Sequence, residues 1–197
     1  WTPVSGCVRG NLEPDAWRTD RCRGAARLRW DPNMPEAQIL VAEQESVIGI
    51  RAIGRATFKV ARDLRSFGVK AVGRGARAVV LDLADCQGMD STFIGVLAMI
   101  GLEARGTADF VVVNASDDLR QLLDGIGLSK IWRFAEETVS PGSWNDLCRA
   151  ASDGTMGETV LAAHQALMDL DPQNVPKFRD VVDLLSAEVS SDTPEGE

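Results

Sequence analysis

Ser91 stands between Asp90 and Thr92, where one apolar run ends and another begins. Ala78-Val79-Val80-Leu81-Asp82-Leu83 reads as a buried strand, and Asp85-Cys86-Gln87-Gly88 as a short turn eased by its glycine. Asp90-Ser91-Thr92 then places one carboxylate and two hydroxyls where a helix must begin. Unpaired N–H groups and the positive end of the helix dipole stabilise an anion there by about 0.3–1 kcal/mol, so a phosphoryl group of nearly two negative charges can be held at Ser91. Asp90 acts in the opposite sense, by like-charge repulsion, so the modified surface would differ sharply from the unmodified one. The plainer reading of the same residues is an ordinary helix cap, contributing about 1 kcal/mol with no regulation.

Other chemistries find fewer residues. His164 is the single histidine and lies on the apolar face of a helical pattern, which reads as core packing rather than catalysis or metal binding. Asp82, Asp85 and Asp90 could form a magnesium pocket like that of a phosphoacceptor receiver domain, but that chemistry needs an acidic pair after an early strand, and Gly54-Arg55 stands there. No Gly-x-Gly-x-x-Gly follows a strand, and there is no Walker loop and no Ser-His-Asp or Cys-His arrangement to assign to an enzyme. The expectation is a non-enzyme with no catalytic residue, no cofactor and no metal. Cys7, Cys22, Cys86 and Cys148 are scattered without a Cys-x-x-Cys pair, which reads as free thiols.

Strand and helix patterns alternate from Ala37 to about Ser152, the mark of an α/β domain with helices packed on a sheet. Strands are expected at Ile39–Ala42, Val47–Ile53, Ala78–Leu83, Phe110–Asn114 and, shorter, Ile131–Phe134. The first two are separated by Glu43-Gln44-Glu45-Ser46 and should form an antiparallel hairpin. Phe58, Val60, Ala61, Leu64, Phe67 and Val69 give a helical face closed by Gly73 and Gly75. Further helices fit Thr92–Arg105, Asp117–Asp124 and Trp144–Ala151, so the sheet of four to five strands should be mixed.

Past Gly154 the pattern is helical only. Val160, Leu161, His164, Leu167 and Met168 form one stripe, and Phe178, Val181, Val182, Leu185 and Val189 a second beyond the Asp171-Pro172 break. Asn174 can cap the second helix, with Pro176 in its first turn. The expected organisation is an irregular leader over 1–36, a domain over 37–152, a helical extension over 153–189 and a disordered acidic tail over 190–197. Residues 1–33 hold six arginines and three of the five tryptophans without any period. Two readings of them stay open: non-native residues upstream of a native start at Met34, or a basic arm that touches a partner or an anionic surface.

The chain of 197 residues is 45% apolar and 25% charged, which fits one globular domain with appendages. A formal net charge of −8 repels polyanions, so no nucleic-acid partner is expected. The longest apolar stretch, Phe93–Leu102, is too short to span a bilayer and no signal-peptide pattern is present, so the expectation is a cytoplasmic protein without membrane insertion.

Met89-Asp90-Ser91-Thr92-Phe93-Ile94-Gly95 resembles the signature of the STAS family, the domain shared by anti-sigma-factor antagonists and the tails of sulfate transporters. The family pattern is a strand ending in Asp-Leu, a short loop, then Met-Asp-Ser-Ser/Thr-Gly-Leu/Ile-Gly opening a helix. The likeness extends over about 37–152, including Asp117-Asp118-Leu119-Arg120-Gln121-Leu122-Leu123 and Gly125-Ile126-Gly127-Leu128-Ser129-Lys130-Ile131. It implies partner switching. Ser91, and secondarily Thr92, would be phosphorylated by an anti-sigma factor or serine kinase of the histidine-kinase ATPase fold and restored by a phosphatase. Asp90, Ser91, Thr92, Phe93, Gly95 and Met99 would form the partner-binding surface. Phe93 departs from the family glycine, either blocking a kinase or anchoring a partner, and Gly54-Arg55-Ala56-Thr57 lacks the usual acidic residue. Two other roles known in the family remain open: a constitutive scaffold subunit of a stress complex or lipid-transport ATPase, and a small-molecule-sensing module. The helix Thr92–Arg105 is apolar nearly all round, which leaves two readings: part of it meets a partner, or the C-terminal helices bury it.

Overall fold

A computed structural model describes residues 37–136, 143–147 and 155–191. The leader over 1–36 and residues 192–197 of the expected tail lie outside the described residues, as do Cys7, Cys22 and Cys148, while residues 190 and 191 are helical.

Strand β1 (Gln38–Gln44) turns back through Glu45-Ser46 into β2 (Val47–Ala56), antiparallel, with Gln44 opposite Val47. The connection needs two residues rather than four because Glu45 takes a left-handed conformation, φ 52°. Helix α1 (Phe58–Gly73) follows, burying Ala61, Leu64, Gly68, Ala71 and Val72, and the chain leaves it through Gly75 at φ 96°. β3 (Ala78–Asp82), β4 (Cys86–Met89), α2 (Ser91–Ala104), β5 (Asp109–Val113), α3 (Asp117–Asp124), a 3-10 turn (Leu128–Lys130) and β6 (Arg133–Ala135) complete the alternating part. The sheet is mixed, in the order β6-β5-β3-β2-β1-β7, where β7 is Asn145–Asp146. Pairings from β2 through β6 are parallel, those of β1 antiparallel.

One face of the sheet carries the main core, where Ile48, Ile50, Val79, Leu81 and Val112 meet the helices. The other holds only a small cluster, Val80, Val111 and Val113. Outside α1 and α2 lies a third layer. Helix α4 (Met156–Leu170) packs along α2, and α5 (Val175–Ser191) packs on α4.

Three expectations change. Asp85–Gly88 is not simply a turn: Cys86–Met89 forms β4, paired in parallel with the end of β2, which runs three residues past Ile53 with an irregularity between Gly54 and Arg55. The helix expected over Trp144–Ala151 is contradicted at its start, because Asn145 and Asp146 pair with Val41 and Leu40. Apolar Trp144 and Leu147 fit a helical spacing, but the open edge of β1 captures the segment, with Leu147 N–H donating to Ile39 O over 2.8 Å; the remainder lies outside the described residues. The last strand of the alternating part begins at Arg133 rather than Ile131, after the 3-10 turn.

Candidate functional site at the start of the second helix

Asp82 prepares the corner. Its carboxylate is buried at the end of β3 and accepts from Arg51 Nε (2.8 Å), the Ala84 N–H (3.1 Å) and Asn114 Nδ2 (2.9 Å). Three neighbouring segments are thereby tied together, and the Arg51 guanidinium lies 4.6 Å from the Trp144 ring centre. The acidic side chains do not converge: Asp85 is exposed, and among the described residues no group of three ligating side chains could hold a metal ion.

β2 and β4 then run side by side to the corner, where Asp90 N–H donates to Ala56 O (3.0 Å). Asp90 serves two helices at once. Its Oδ1 accepts the Phe93 N–H of α2 at 2.8 Å, and its Oδ2 accepts the Phe58 N–H of α1 at 2.7 Å. The residue before α1, Thr57, makes no side-chain cap of its own, and Asp90 serves instead, 32 residues on from the Phe58 N–H it accepts. Cys86, in the approach strand, is a buried free thiol; burial pushes its acidity to higher pH, partly opposed by a contact to Gly88 O, so it is a packing group.

Ser91, the first residue of α2, is half-buried. Its Oγ lies 2.9 Å from Nε2 of His164 on α4. The other ring nitrogen, Nδ1, lies 2.8 Å from Val160 O, which can only accept. Nδ1 therefore donates to it, and in the neutral ring Nε2 accepts the Ser91 hydroxyl. The ring is buried, with Phe178 of α5 at 5.3 Å between centroids. His164 does pack in the core, as its position on an apolar stripe implies, but it also meets the serine, which sequence reasoning missed. A signal existed: a lone polar ring on a buried face must find a partner.

The remaining expected partner residues are distributed differently. Thr92, Phe93 and Gly95 are interior, and Phe93 is fully buried, filling the core below the first turn instead of anchoring a partner. Gly95 meets the Ala163 backbone of α4. Met99 is half-buried in a groove of about 740 Å³, with Arg62 and Arg65 of α1 and Glu158 of α4. The flank of α2 is thus covered from within, so of the two readings of its apolar surface, burial beneath the extension holds in this structure. Asn174, expected as a helix cap, ties the extension to the domain: its Nδ2 donates to Ile126 O and Leu167 O, each at 2.8 Å, and its Oδ1 accepts from the Lys177 ammonium. Lys130 and Asp171, 2.7 Å apart, add a second tie between extension and domain. At the corner Ser91 stays half-buried and Phe58 is 45% exposed.

A strand ending at Asp82, a capped turn through Asp90, and a serine opening a buried helix coincide with a match to the family model described as Mlab, STAS domain, over residues 39–134. Residues 39–134 form a STAS domain. The STAS domain is also similar to solved structures. The Bacillus cell fate determinant SpoIIAA in its phosphorylated form is 20% identical, with 51% of this chain and 93% of that one covered and a TM-score of 0.44. An anti-sigma factor antagonist from Mycobacterium paratuberculosis is 21% identical, with coverages of 53% and 88% and a TM-score of 0.46. No curated protein matches the sequence. Among the described residues no helix is long and apolar enough to cross a membrane.

Proposed function

We propose that the chain is a cytoplasmic, non-enzymatic partner-switching regulator of the anti-sigma-factor-antagonist kind, controlled by phosphorylation of Ser91. The observation that carries this reading is the position of Ser91, a half-buried hydroxyl at the first residue of α2 beside exposed Phe58, while neighbouring Thr92 is buried. With the flank of α2 occupied by α4, docking takes place at the corner made by Ser91 and Phe58. The partner is an anti-sigma factor or serine kinase of the histidine-kinase ATPase fold, with a phosphatase restoring the hydroxyl. Phosphate at Ser91 brings up to two charges into a contact that must otherwise lose its water, which costs several kcal/mol and weakens the complex.

The test is co-purification from the native host with Ser91→Ala, Ser91→Asp and Phe58→Ser baits, together with phosphopeptide mass spectrometry. Ser91→Ala should retain the partner, while Ser91→Asp and Phe58→Ser lose it with native far-UV spectra. Equal capture by the two Ser91 variants removes the switch.

One observation favours a second reading, a constitutive adaptor: the Ser91 hydroxyl already has a partner in His164, and α4 covers the adjoining helix. That reading requires unmodified Ser91 in cells and a complex indifferent to its substitution.

A further inference from the structure

We propose that the C-terminal helix pair reads the state of Ser91 through His164, which takes up a proton at Nε2 and holds the phosphoryl group, fastening α4 to α2 more tightly in the modified protein. The inference rests on the phosphorylation of Ser91 argued above and adds what the chain itself does in response.

In the unmodified chain, the ring meets a hydroxyl. Val160 O holds the proton on Nδ1, and in the neutral ring this leaves the Nε2 lone pair facing the Ser91 hydroxyl. Phosphorylation removes that donor: Oγ bonds to the γ-phosphorus of a nucleoside triphosphate, the bond to the bridging oxygen breaks, the nucleoside diphosphate leaves, and the hydroxyl proton must go elsewhere. Nε2 is the acceptor already in place at 2.9 Å. A buried ring nitrogen left facing phosphate oxygens as a second acceptor is unstable, whereas a protonated one donates a charge-assisted hydrogen bond. Asp90 cannot take the ring's place, because both its oxygens are held by the Phe58 and Phe93 N–H groups. Phe178 on α5 closes the other side of the imidazole without offering a polar partner.

The ring cannot withdraw easily. Gly95 and Ala163 hold the two helix backbones in contact one turn from the pair, and Asn174 anchors the end of α4 to Ile126. A change of charge at Ser91 is therefore felt as a change in how firmly the helix pair is held, without a rearrangement of the core.

His164 is the only histidine, so its ring gives a single set of imidazole signals. The experiment compares full-length chain bearing genetically encoded phosphoserine at position 91 with the unmodified chain, using 15N imidazole spectra and thermal denaturation, in wild-type and His164→Phe backgrounds. The Nε2 resonance should move from the range of an unprotonated nitrogen to that of a protonated one. The midpoint should rise by roughly 2–4 °C, the scale of exchanging a neutral hydrogen bond for a charge-assisted one in a chain of this size, and the rise should vanish in His164→Phe. An Nε2 that stays unprotonated, an equal rise in His164→Phe, or a phosphoserine chain that fails to fold overturns the proposal. No kinase or partner is used, so these outcomes are separable from failure of the switch itself, which the co-purification reads.

Discussion

Gly95 of α2 and Ala163 of α4 meet with no side chain between their backbones, and a Cβ at residue 95 would overlap the Ala163 carbonyl oxygen. Since the obstacle is main chain, no rotamer change relieves it. Gly95→Ala should therefore lose more through displacement of α4 than the ~1 kcal/mol it gains in helix propensity, for a net loss of about 1–3 kcal/mol in urea denaturation. Gly73→Ala, where a Cβ meets nothing, provides the contrast and should be neutral or stabilising.

Asp90 caps two helices with one carboxylate, so its removal should cost more than a single cap. At about 1 kcal/mol per cap, Asp90→Ala is expected to lose roughly 2 kcal/mol in chemical denaturation. Asp90→Asn keeps one acceptor oxygen and should recover about half of that. Identical losses for the two substitutions would mean that only one of the contacts, to Phe58 or to Phe93, matters in solution.

The tie between Lys130 and Asp171 makes the extension sensitive to acid. The Lys130 ammonium, bonded directly to Asp171, holds that carboxyl below its ordinary range, helped by the Gln173 N–H. A folded value below the unfolded one, about 3.9, means that the contribution is complete above that value and disappears as pH falls through the folded one. Stability measured between pH 6 and pH 2 should show this loss below about pH 4. Lys130→Met, lacking the main cause of the shift, should show a shallower acid limb.

Most of the alternating part was legible because its signals are local. Val47–Ile53 and Ala78–Leu83 carry buried apolar patterns, and α3 occupies Asp117–Asp124 with Ser116 as its cap. β4 was not, since Cys86-Gln87-Gly88-Met89 has a glycine, no β-branched residue and a partner, the overrun of β2, that only the fold supplies. β7 was missed for the same reason: an unpaired edge recruited Asn145 and Asp146. Asp90 and Ser91 were recognisable as a helix start, but the second cap to Phe58 and the bond to His164 span 32 and 73 residues, and no spacing rule reaches that far. Phe93 pointed inward because an apolar ring in the first turn gains more from burial than from display.

The sheet closes on short members at both sides, three residues in β6 and two in β7. Strands of two and three residues present few main-chain donors and acceptors to template an incoming strand. Association by extending the ladder is thus discouraged, and a visitor has to be recognised by side chains at the loops and helix tips, where a single altered hydroxyl can change the outcome.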